Sequence, residues 1–388
     1  MRRNRIILLV LWILSVLSIS FYGGSVSYGF FMVMTLIPVV SLLYLLCVIV
    51  QFKIYQKMDM RNLIAGTTST FYFTLQNEGL MAFAGIRVLF YSTFSTIAGL
   101  DDQTEYELLP HTGVRRQTRM VCKYRGEYDV GIKTIVAQDF LRLFTISYKN
   151  REPLRVVVKP GIVTLSELKS AKISINALQD KMRGNVPDVS IRPYVPNDDK
   201  RLIHWRASAA TQTLMVREQS DERRQGIAVI LNCRRMSERN EIYLPVENKM
   251  LETAIALTLY FCSHGVPAGV YYRTKQCMET DVDRKSQFDP FYEQISAVTF
   301  TQNNEDSLQY EEILHCPGLY LKHAAFLIVP EWNTATQEFA RTLSMNGLAV
   351  TVYVVGAPES GTVISTEPVI PRCQVCRIAG DADLKEVL

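Results

Sequence analysis

The first fifty residues are almost continuously apolar, and this pattern predicts two helices that span a membrane. No charged residue occurs from position 6 to position 51, and the sequence YGGSVSYG divides the run into apolar stretches at about 6–22 and 30–50. About 17–25 apolar residues are enough for a helix to cross the hydrocarbon core of a bilayer. We therefore expect residues 1–58 to form a membrane hairpin.

Basic residues on both sides of this run predict its orientation. They are Arg2, Arg3 and Arg5 before it and Lys53, Lys57 and Arg61 after it. Lysine and arginine are retained on the cytoplasmic side, so we expect a multi-pass protein of the cell membrane with both termini in the cytoplasm. The alternative is a cleaved signal peptide at the start of the chain, which would place the soluble part outside.

Period-two alternation over residues 61–160 predicts an antiparallel β-sandwich. In TSTFYFTLQNEG the apolar residues Phe71, Phe73 and Leu75 alternate with polar ones, and AGIRVLFYS repeats the pattern. VRRQTRMVCKYRGEYDVG is expected to form a hairpin with its turn near Gly126, and IKTIVAQD and LRVVVKPG supply further strands. Because no catalytic cluster stands out here, the expected role is that of a spacer or docking module near the membrane.

Residues 223–388 alternate between strand and helix patterns, which predicts an α/β domain with a mainly parallel sheet. GIAVILNC is a continuous apolar run of the kind found in strands buried on both faces. ENKMLETAIALTLYFCSHG has apolar residues at helical spacing and is followed by PAGVYYRT, AAFLIVPEW, the helix TATQEFARTLSMNG and LAVTVYVVG. Residues 161–190 are expected to form a linker or helical connection.

Residues 191–222, here called the signature segment, have an unusual density of charge. They include RPYVPNDDKRLIHWRASAATQTLMVRE, with four arginines, a histidine and a tryptophan. A helix is expected to begin at Asp199, capped by Asn197 or Asp198, and to carry Trp205 on its apolar face. TLMVRE then returns to strand alternation. The predicted order is turn, short helix, strand.

Thirteen residues of the signature segment follow the pattern R-x-Y-x-x-x-D-x-x-R-x-I-x-W-[KR]-x-[ST]-A-x-x-x-x-L-x-V-R-E. They are Arg192, Tyr194, Asp198, Arg201, Ile203, Trp205, Arg206, Ser208, Ala209, Leu214, Val216, Arg217 and Glu218. This pattern resembles the signature of the domain of unknown function 58 family, and RGEYDVG (125–131) resembles a second motif of that family. The resemblance extends over nearly the whole chain.

The resemblance implies a fold and partners but no reaction. Members combine a membrane hairpin, a β-rich segment, the signature and a von Willebrand factor type A-like α/β domain. They are commonly associated with MoxR-type AAA+ ATPases and transglutaminase-like membrane proteins, so both become expected partners here. This chain departs from the usual pattern at Asn197, where glycine is usual, and at His204, where aspartate is frequent.

The α/β domain lacks the residues of the metal site that the resemblance would suggest. Metal-binding type A domains have D-x-S-x-S after the first strand, where a carboxylate and hydroxyls bind a divalent cation. Here Asn232, Arg234 and Met236 occupy those positions. An amide, a guanidinium and a thioether do not replace these ligands, so we expect no metal at the standard site and no cofactor.

Composition narrows the function classes further. The chain has 388 residues, 21% of them charged, and a net charge of only +4, which argues against a dedicated nucleic-acid binder. Its eight cysteines have no regular spacing, which is typical of a reduced compartment rather than a disulfide framework.

We therefore expect a non-enzymatic scaffold or adaptor that works with an AAA+ ATPase in complex assembly or cell-envelope maintenance. In this hypothesis Trp205 anchors a docking surface among arginines, while Arg206, Arg217, Asp198 and Glu218 pair in a structural ion network. The full set expected in these roles is Arg192, Tyr194, Asp198, Asp199, Arg201, His204, Trp205, Arg206, Ser208, Arg217 and Glu218.

Two other functions compete with the scaffold hypothesis. The first is an enzyme, hydrolytic or other, centred on Asp198, Asp199 and His204, whose side chains are suited to acid–base chemistry. The second is a phosphate- or nucleotide-sensing module that uses Arg192, Arg201 and Arg217.

Overall fold

The computed structural model describes residues 2–59, 62–168, 189–195, 203–219, 226–302, 305–356, 364–365, 370–380 and 382–388. The chain divides into two compact units, Met1–Gly161 and Ile162–Leu388, and each has its own hydrophobic core. Most of the predicted linker, residues 169–188, lies outside the described part of the chain.

Two long apolar helices begin the first unit, as the hydropathy pattern predicts. α1 is Arg2–Tyr22 and α2 is Ser25–Gln51, so α2 begins earlier than its apolar stretch suggests. Both are long and apolar enough to cross a membrane. The indole N–H of Trp12 donates to the hydroxyl of Thr35 at 3.2 Å, and this contact between the middle of α1 and the middle of α2 fits an antiparallel pair.

α2 continues without a break into the strand-rich segment (residues 52–159). Its last residue is Gln51, and the first strand begins at Phe52. Leu45 and Val48, near the end of α2, are buried in the same core as Phe52 and the strand residues. The end of α2 is therefore packed as part of the strand-rich segment.

The described strands of the strand-rich segment form three sheets. The strands are β1 (Phe52–Met58), β2 (Asn62–Ile64), β3 (Thr68–Asn77), β4 (Phe83–Phe90), β5 (Ser95–Ile97), β6 (Glu105–Leu108), β7 (Gly113–Cys122), β8 (Gly126–Val130), β9 (Ile132–Gln138), β10 (Thr145–Lys149) and β11 (Leu154–Lys159). Their orders are β1-β3-β7-β5, β10-β9-β4-β6 and β2-β11-β8. β2 is parallel to β11, and the other pairs in these sheets are antiparallel.

The period-two pattern predicts these strands correctly but fails for one pairing. Phe71, Phe73 and Leu75 are all buried, as expected for one face of β3. The predicted hairpin near Gly126 is wrong, because β7 pairs with β3 and β5 whereas β8 pairs with β11. β7 already has a neighbour on each edge, so the chain crosses to another sheet before β8 begins.

The second unit contains a seven-stranded sheet with helices between its strands. In chain order they are β14 (Ile227–Leu231), α4 (Asn240–Ser263), β15 (Ala268–Arg273), β16 (Cys277–Val282), α5 (Phe288–Ser296), α6 (Asp306–Leu314), β17 (Ala324–Val329), α7 (Thr334–Met345), β18 (Ala349–Gly356), β19 (Ile364–Ser365), β20 (Cys373–Ala379) and α8 (Leu384–Val387). The strand order is β16-β15-β14-β17-β18-β20-β19. The strands β12 (Val189–Pro193) and β13 (Met215–Gln219) and the helix α3 (Trp205–Thr211) are described with the signature segment below.

Apolar runs form the centre of this sheet, as the sequence predicts. Every residue of β14 and β17 is buried, and these two strands are parallel neighbours. α4 packs against them with Met250, Ala254 and Leu257, all fully buried. The edge strands β16 and β19 are antiparallel to their neighbours, so the sheet is mainly rather than wholly parallel.

Candidate functional site

Two strands frame the signature segment. β12 (Val189–Pro193) and β13 (Met215–Gln219) pair antiparallel, with Arg192 opposite Val216 and Ile191 opposite Arg217. The strand expected in TLMVRE is thus confirmed, whereas its partner β12 was not predicted. The ladder brings the two ends of the signature pattern, Arg192 and Arg217, onto adjacent backbones.

The helix of the signature segment begins later than predicted. α3 is Trp205–Thr211, whereas the sequence suggested a helix from Asp199. Ile203 still forms a β-bridge with Val216, and the backbone of His204 is non-helical (φ −89°, ψ 84°). Pairing with β13 therefore competes with the helix and delays its start.

His204 caps α3, a role that the sequence assigned to Asn197 or Asp198. Its Nδ1 accepts a hydrogen bond from the backbone N–H of Ala207 at 3.1 Å. Its own backbone N–H donates to the carbonyl of Met215 at 2.8 Å. The first N–H groups of a helix need such acceptors, so this imidazole has a structural task.

Ser208 connects α3 to β13. Its hydroxyl accepts the backbone N–H of Met215 at 2.8 Å and lies 3.0 Å from the carbonyl of His204, to which it donates. One side chain thus satisfies a strand N–H and a carbonyl beside the helix start. This explains why a small hydroxyl residue suits position 208.

Trp205 and Arg206 project from this frame into solvent. Trp205 is 70% exposed, and Arg206 is exposed beside it. Val195 and Leu214 are also exposed. The segments that carry them lie side by side, since the N–H of Tyr194 donates to the carbonyl of Leu214 at 2.7 Å. An indole exposed to this extent at the first turn of a short, capped helix is accessible to other molecules.

Several predicted site residues cannot be placed in this geometry. Asp198, Asp199 and Arg201 lie outside the described residues, as do the side chains of Arg192, Arg217 and Glu218. The ion network among these groups therefore stays a prediction.

A second polar cluster lies at the carboxyl end of β14, where the sequence placed Asn232 and Arg234. Nδ2 of Asn232 donates to Oδ1 of Asp306 at 2.9 Å, and the guanidinium of Arg234 donates to Oδ2 of Asp306 at 2.8 Å. Asp306 is the first residue of α6 and is almost fully buried. Its carboxylate thus receives its positive partner from a side chain of this protein.

Asn333 completes the cluster from the loop after β17. Its side-chain amide donates to Oδ2 of Asp306, while its carbonyl oxygen accepts the N–H of Thr336 at 2.9 Å and caps α7. The hydroxyls of Tyr310 and Thr336 are 3.1 Å apart, and Tyr310 also accepts from Asn232 at 2.8 Å. Burial raises the pKa of Tyr310 far above its ordinary value, although these two hydrogen bonds oppose the shift.

The loop that carries Arg234 is fixed by its neighbour Arg235. The guanidinium of Arg235 makes two hydrogen bonds, of 2.6 and 3.2 Å, to the buried carboxylate of Glu247 on α4. It also lies 3.9 Å from the ring centre of Tyr243. This bidentate, stacked geometry is one that lysine does not reproduce.

An open pocket of about 470 Å³ lies over the cluster. Arg234, Asp306, Ser307, Asn333 and Thr334 are among its lining residues. Met236, the third position of the comparison with D-x-S-x-S, is exposed and does not line it. The pocket therefore presents one partly exposed guanidinium, that of Arg234. The carboxylate of Asp306 beneath it already accepts hydrogen bonds from three donors.

Sequence reasoning missed Asp306 and Asn333. Each had a local signal, since NEDSLQYEEIL has acidic residues before a helical pattern and WNTATQ places asparagine before another. Their meeting with Asn232 depends on sheet order, which single-sequence patterns do not provide.

Comparisons with known proteins match part of the chain. Residues 190–284 match the family model described as protein of unknown function DUF58. This stretch covers the signature segment and continues through β14, α4, β15 and β16. No curated protein matches the chain.

Solved structures add nothing to this picture. One match is a FixG-related protein from Vibrio parahaemolyticus, with 13% identity, a TM-score of 0.19, and coverage of 28% of this chain and 97% of that one. Another is the secreted serine protease VesC from Vibrio cholerae, with 12% identity, a TM-score of 0.21, and coverage of 38% and 28%. Likenesses this weak carry no argument about fold or function.

Proposed function

We propose that this protein is a membrane-anchored, non-enzymatic scaffold or adaptor whose docking surface is built around Trp205. The observation that carries the proposal is the exposure of Trp205 and Arg206 on a helix whose start is capped and whose side is bonded to β13. Tryptophan and arginine dominate binding energy at protein interfaces. A rigid frame also lowers the conformational entropy lost when a partner binds.

The geometry of His204 supports a scaffold over an enzyme. A general base needs a free ring nitrogen within reach of its substrate. Nδ1 of His204 accepts the N–H of Ala207, so the proton of the neutral ring is on Nε2 and neither nitrogen has a lone pair free to take a proton from a substrate. The enzyme hypothesis, centred on Asp198, Asp199 and His204, is therefore the weaker one.

We also propose the topology and the finer fold. α1 and α2 form a membrane hairpin with both termini in the cytoplasm, which the basic residues on each side support. The strand-rich segment is an antiparallel β-sandwich, and residues 223–388 form a von Willebrand factor type A-like domain without the standard metal. Arg234 supports the last point, because its guanidinium already supplies positive charge to Asp306.

The partner we propose is a MoxR-type AAA+ ATPase, with a transglutaminase-like membrane protein as a further member of the complex. Similarity of residues 190–284 to the domain of unknown function 58 family supports this choice. The task would be complex assembly or cell-envelope maintenance. Phosphate or nucleotide sensing through Arg192, Arg201 and Arg217 stays an alternative prediction.

Affinity capture of the full-length protein in detergent tests the proposal. The test variant is Trp205→Ala/Arg206→Ala, and the matched control is Arg341→Ala/Met345→Ala, which removes an exposed arginine and an exposed large apolar residue from α7. We expect an AAA+ ATPase with the wild type and the control and its loss with the test variant. Equal recovery with all three folded proteins would refute the docking surface, and a wild type that captures no ATPase would refute the proposed partner.

A further inference from the structure

We propose that the strand-rich segment has its own lipid-contacting surface, formed by three loops that insert into the bilayer beside α2. This inference rests on the proposed membrane hairpin and adds a second membrane-bound element to it. The loops follow β3, β6 and β9, and their tips expose large apolar side chains. These are Leu80, Met81, Leu109, Phe140 and Leu141, and we call them the loop patch.

The loop patch is unusually exposed for apolar side chains. Leu80 is 82% exposed, Leu109 66% and Phe140 55%. Contiguous exposed apolar surface on a folded protein marks a contact with another protein or a membrane. The attachment of these loops to α1 and α2 distinguishes between the two.

The first two loops are joined by one buried amide. Nδ2 of Asn77 donates to the carbonyls of Met81 at 2.8 Å and Leu109 at 3.0 Å. Its Oδ1 accepts the N–H of Gly79 at 2.8 Å, and the N–H of His111 donates to the carbonyl of Gly79 at 3.2 Å. The exposure of Leu80 and Leu109 is therefore imposed by an internally satisfied structure, not by a frayed loop.

The third loop is organised by Asp139 and fixed to α2. Its carboxylate accepts the backbone N–H groups of Leu141 at 3.2 Å and Phe144 at 2.7 Å, and it also accepts the hydroxyl of Ser41 in α2. Phe140 is left outside this turn with its side chain exposed. The loop thus presents an apolar tip directly beside a helix that we place in the membrane.

Both helices are bound to the loops at one level. Tyr44 of α2 donates to the carbonyl of Ala82 at 3.0 Å, and its ring packs edge-on against Phe140 with centres 5.6 Å apart. At the start of α1, Arg5 donates to the carbonyl of Leu143 at 2.6 Å. The loop patch is therefore attached to the hairpin at the level of Arg5 and Ser41.

The length of the hairpin indicates that this level lies inside the apolar layer of the bilayer. From Ser25 to Ser41 a helix rises about 24 Å, whereas the hydrocarbon core is about 30 Å thick. A shortfall of about 6 Å must be met by thinning of the bilayer or by further apolar surface. α2 supplies such surface on its free side, because Leu42, Leu43 and Leu46 remain about half exposed beyond Ser41.

Charges next to the loop patch suit the headgroup region. Arg2 and Arg3 are exposed at the start of α1, within one turn of Arg5. Basic residues at this depth pair with lipid phosphates and hold the apolar side chains at the boundary. We therefore assign the loop patch to lipid and not to a protein partner.

Quenching of tryptophan fluorescence by brominated lipid tests the assignment. The full-length protein is placed in two kinds of nanodisc. Their phospholipids have bromine near the headgroup end of the acyl chains for the loop probes and near the terminal methyl group for Trp12. Trp12, Trp205 and Trp332 are replaced by phenylalanine, and one tryptophan is introduced at Leu80, Leu109 or Phe140. These positions are exposed, so the larger ring needs no cavity.

Two further proteins complete the experiment. Val157→Trp in the same background is the matched control, because Val157 is also exposed and apolar. It lies far from the loop patch, since it pairs on β11 with Asn62, and Asn62 follows the end of β1 that is distant from α2. β1 itself extends about 20 Å away from α2. A protein that retains only Trp12 reports whether α1 is in the bilayer at all.

We expect the three probes and Trp12 to lose most of their fluorescence in brominated discs while Val157→Trp does not. Quenching of Trp12 without quenching of the probes would overturn the lipid-contacting loops and leave the hairpin intact. If Trp12 is not quenched, the membrane hairpin itself is refuted, and the inference falls with it. Equal quenching at Val157 would show unspecific adsorption of the segment and would also overturn the inference.

Discussion

The ion pair between Arg234 and Asp306 gives the sharpest test of the cluster at the end of β14. Asp306 is almost fully buried, and its carboxylate accepts from Arg234 at 2.8 Å and from the amides of Asn232 and Asn333. Arg234→Ala leaves this buried charge without a cation. We expect the free energy of unfolding of the second unit to fall.

The magnitude follows from distance and exposure. Two unit charges about 4 Å apart interact by about 4 kcal/mol at an effective dielectric constant near 20. The side chain of Arg234 is 36% exposed, so water screens part of this interaction. We expect a loss of about 2–3 kcal/mol for Arg234→Ala. In a double-mutant cycle with Asp306→Asn, a coupling of about 1–2 kcal/mol should appear.

Trp332 provides the assay, because it packs against the core of this unit next to Asn333. Denaturant unfolding is followed by its fluorescence after Trp12 and Trp205 are replaced by phenylalanine. Arg239→Ala is the control, since Arg239 is exposed and loses the same charge. That control should cost less than about 0.5 kcal/mol. If Arg234→Ala costs no more than the control, or the cycle shows no coupling, the reasoning is refuted.

The same samples test the predicted absence of a divalent metal. The guanidinium of Arg234 already lies on Oδ2 of Asp306, where it would repel a cation. Added Mg²⁺ or Ca²⁺ is therefore expected to leave the unfolding midpoint of the wild type unchanged. A rise in the midpoint that saturates with metal concentration would contradict this prediction, because only a ligand of the folded state stabilises in that way.

Three further outcomes are expected elsewhere in the chain. Ser208→Ala should lower the free energy of unfolding by about 1 kcal/mol. It should also speed hydrogen exchange at the N–H of Met215, because that group loses its acceptor, and an unchanged exchange rate would contradict the bond. Asn77→Ala should lower the free energy of unfolding, measured by thermal unfolding, by about 2–4 kcal/mol, because a fully buried amide is lost and its partners stay unpaired. A loss smaller than that for substitution of an exposed asparagine would contradict this prediction. Burial raises the pKa of the Cys373 thiol from 9.0 to about 11, so the unfolded state releases this proton first. The free energy of unfolding should then fall by about 1–2 kcal/mol as the pH rises from 9 to 11, and Cys373→Ala should remove that part of the fall.

Local patterns in the sequence predict the elements of this fold better than their pairing. Alternation at Phe71 and Phe73 identifies β3, and the apolar run in GIAVILNC identifies β14. Both can be recognised because the spacing of apolar residues within a strand shows whether one or both of its faces are buried. The failed hairpin near Gly126 shows the limit. Pairing of strands that are adjacent in sequence predicts this hairpin, but both edges of β7 are occupied by other strands.

The site residues divide in the same way. Asn232 and Arg234 follow a recognisable strand, so their place at the end of β14 is predictable. Asp306 lies 74 residues beyond Asn232 and reaches it only because β14 and the start of α6 meet in three dimensions. The sequence predicts His204 as a candidate for acid–base chemistry, and its role as a cap depends on the β-bridge of Ile203 to Val216, which keeps the backbone at positions 203 and 204 out of the helix.

The ion pair of Arg234 also affects where a partner or ligand can bind to this protein. A bound metal ion with an open coordination position can accept an oxygen of a partner, and it can also be lost or exchanged. Binding of a partner at such a site therefore depends on whether the metal is present. A guanidinium tethered to the chain and bonded to Asp306 at 2.8 Å has neither property. We infer that the carboxyl end of the sheet acts mainly as a structural joint between β14, α6 and α7. Our two proposals place binding elsewhere, at the exposed indole of Trp205 for a protein and at the loop patch for lipid.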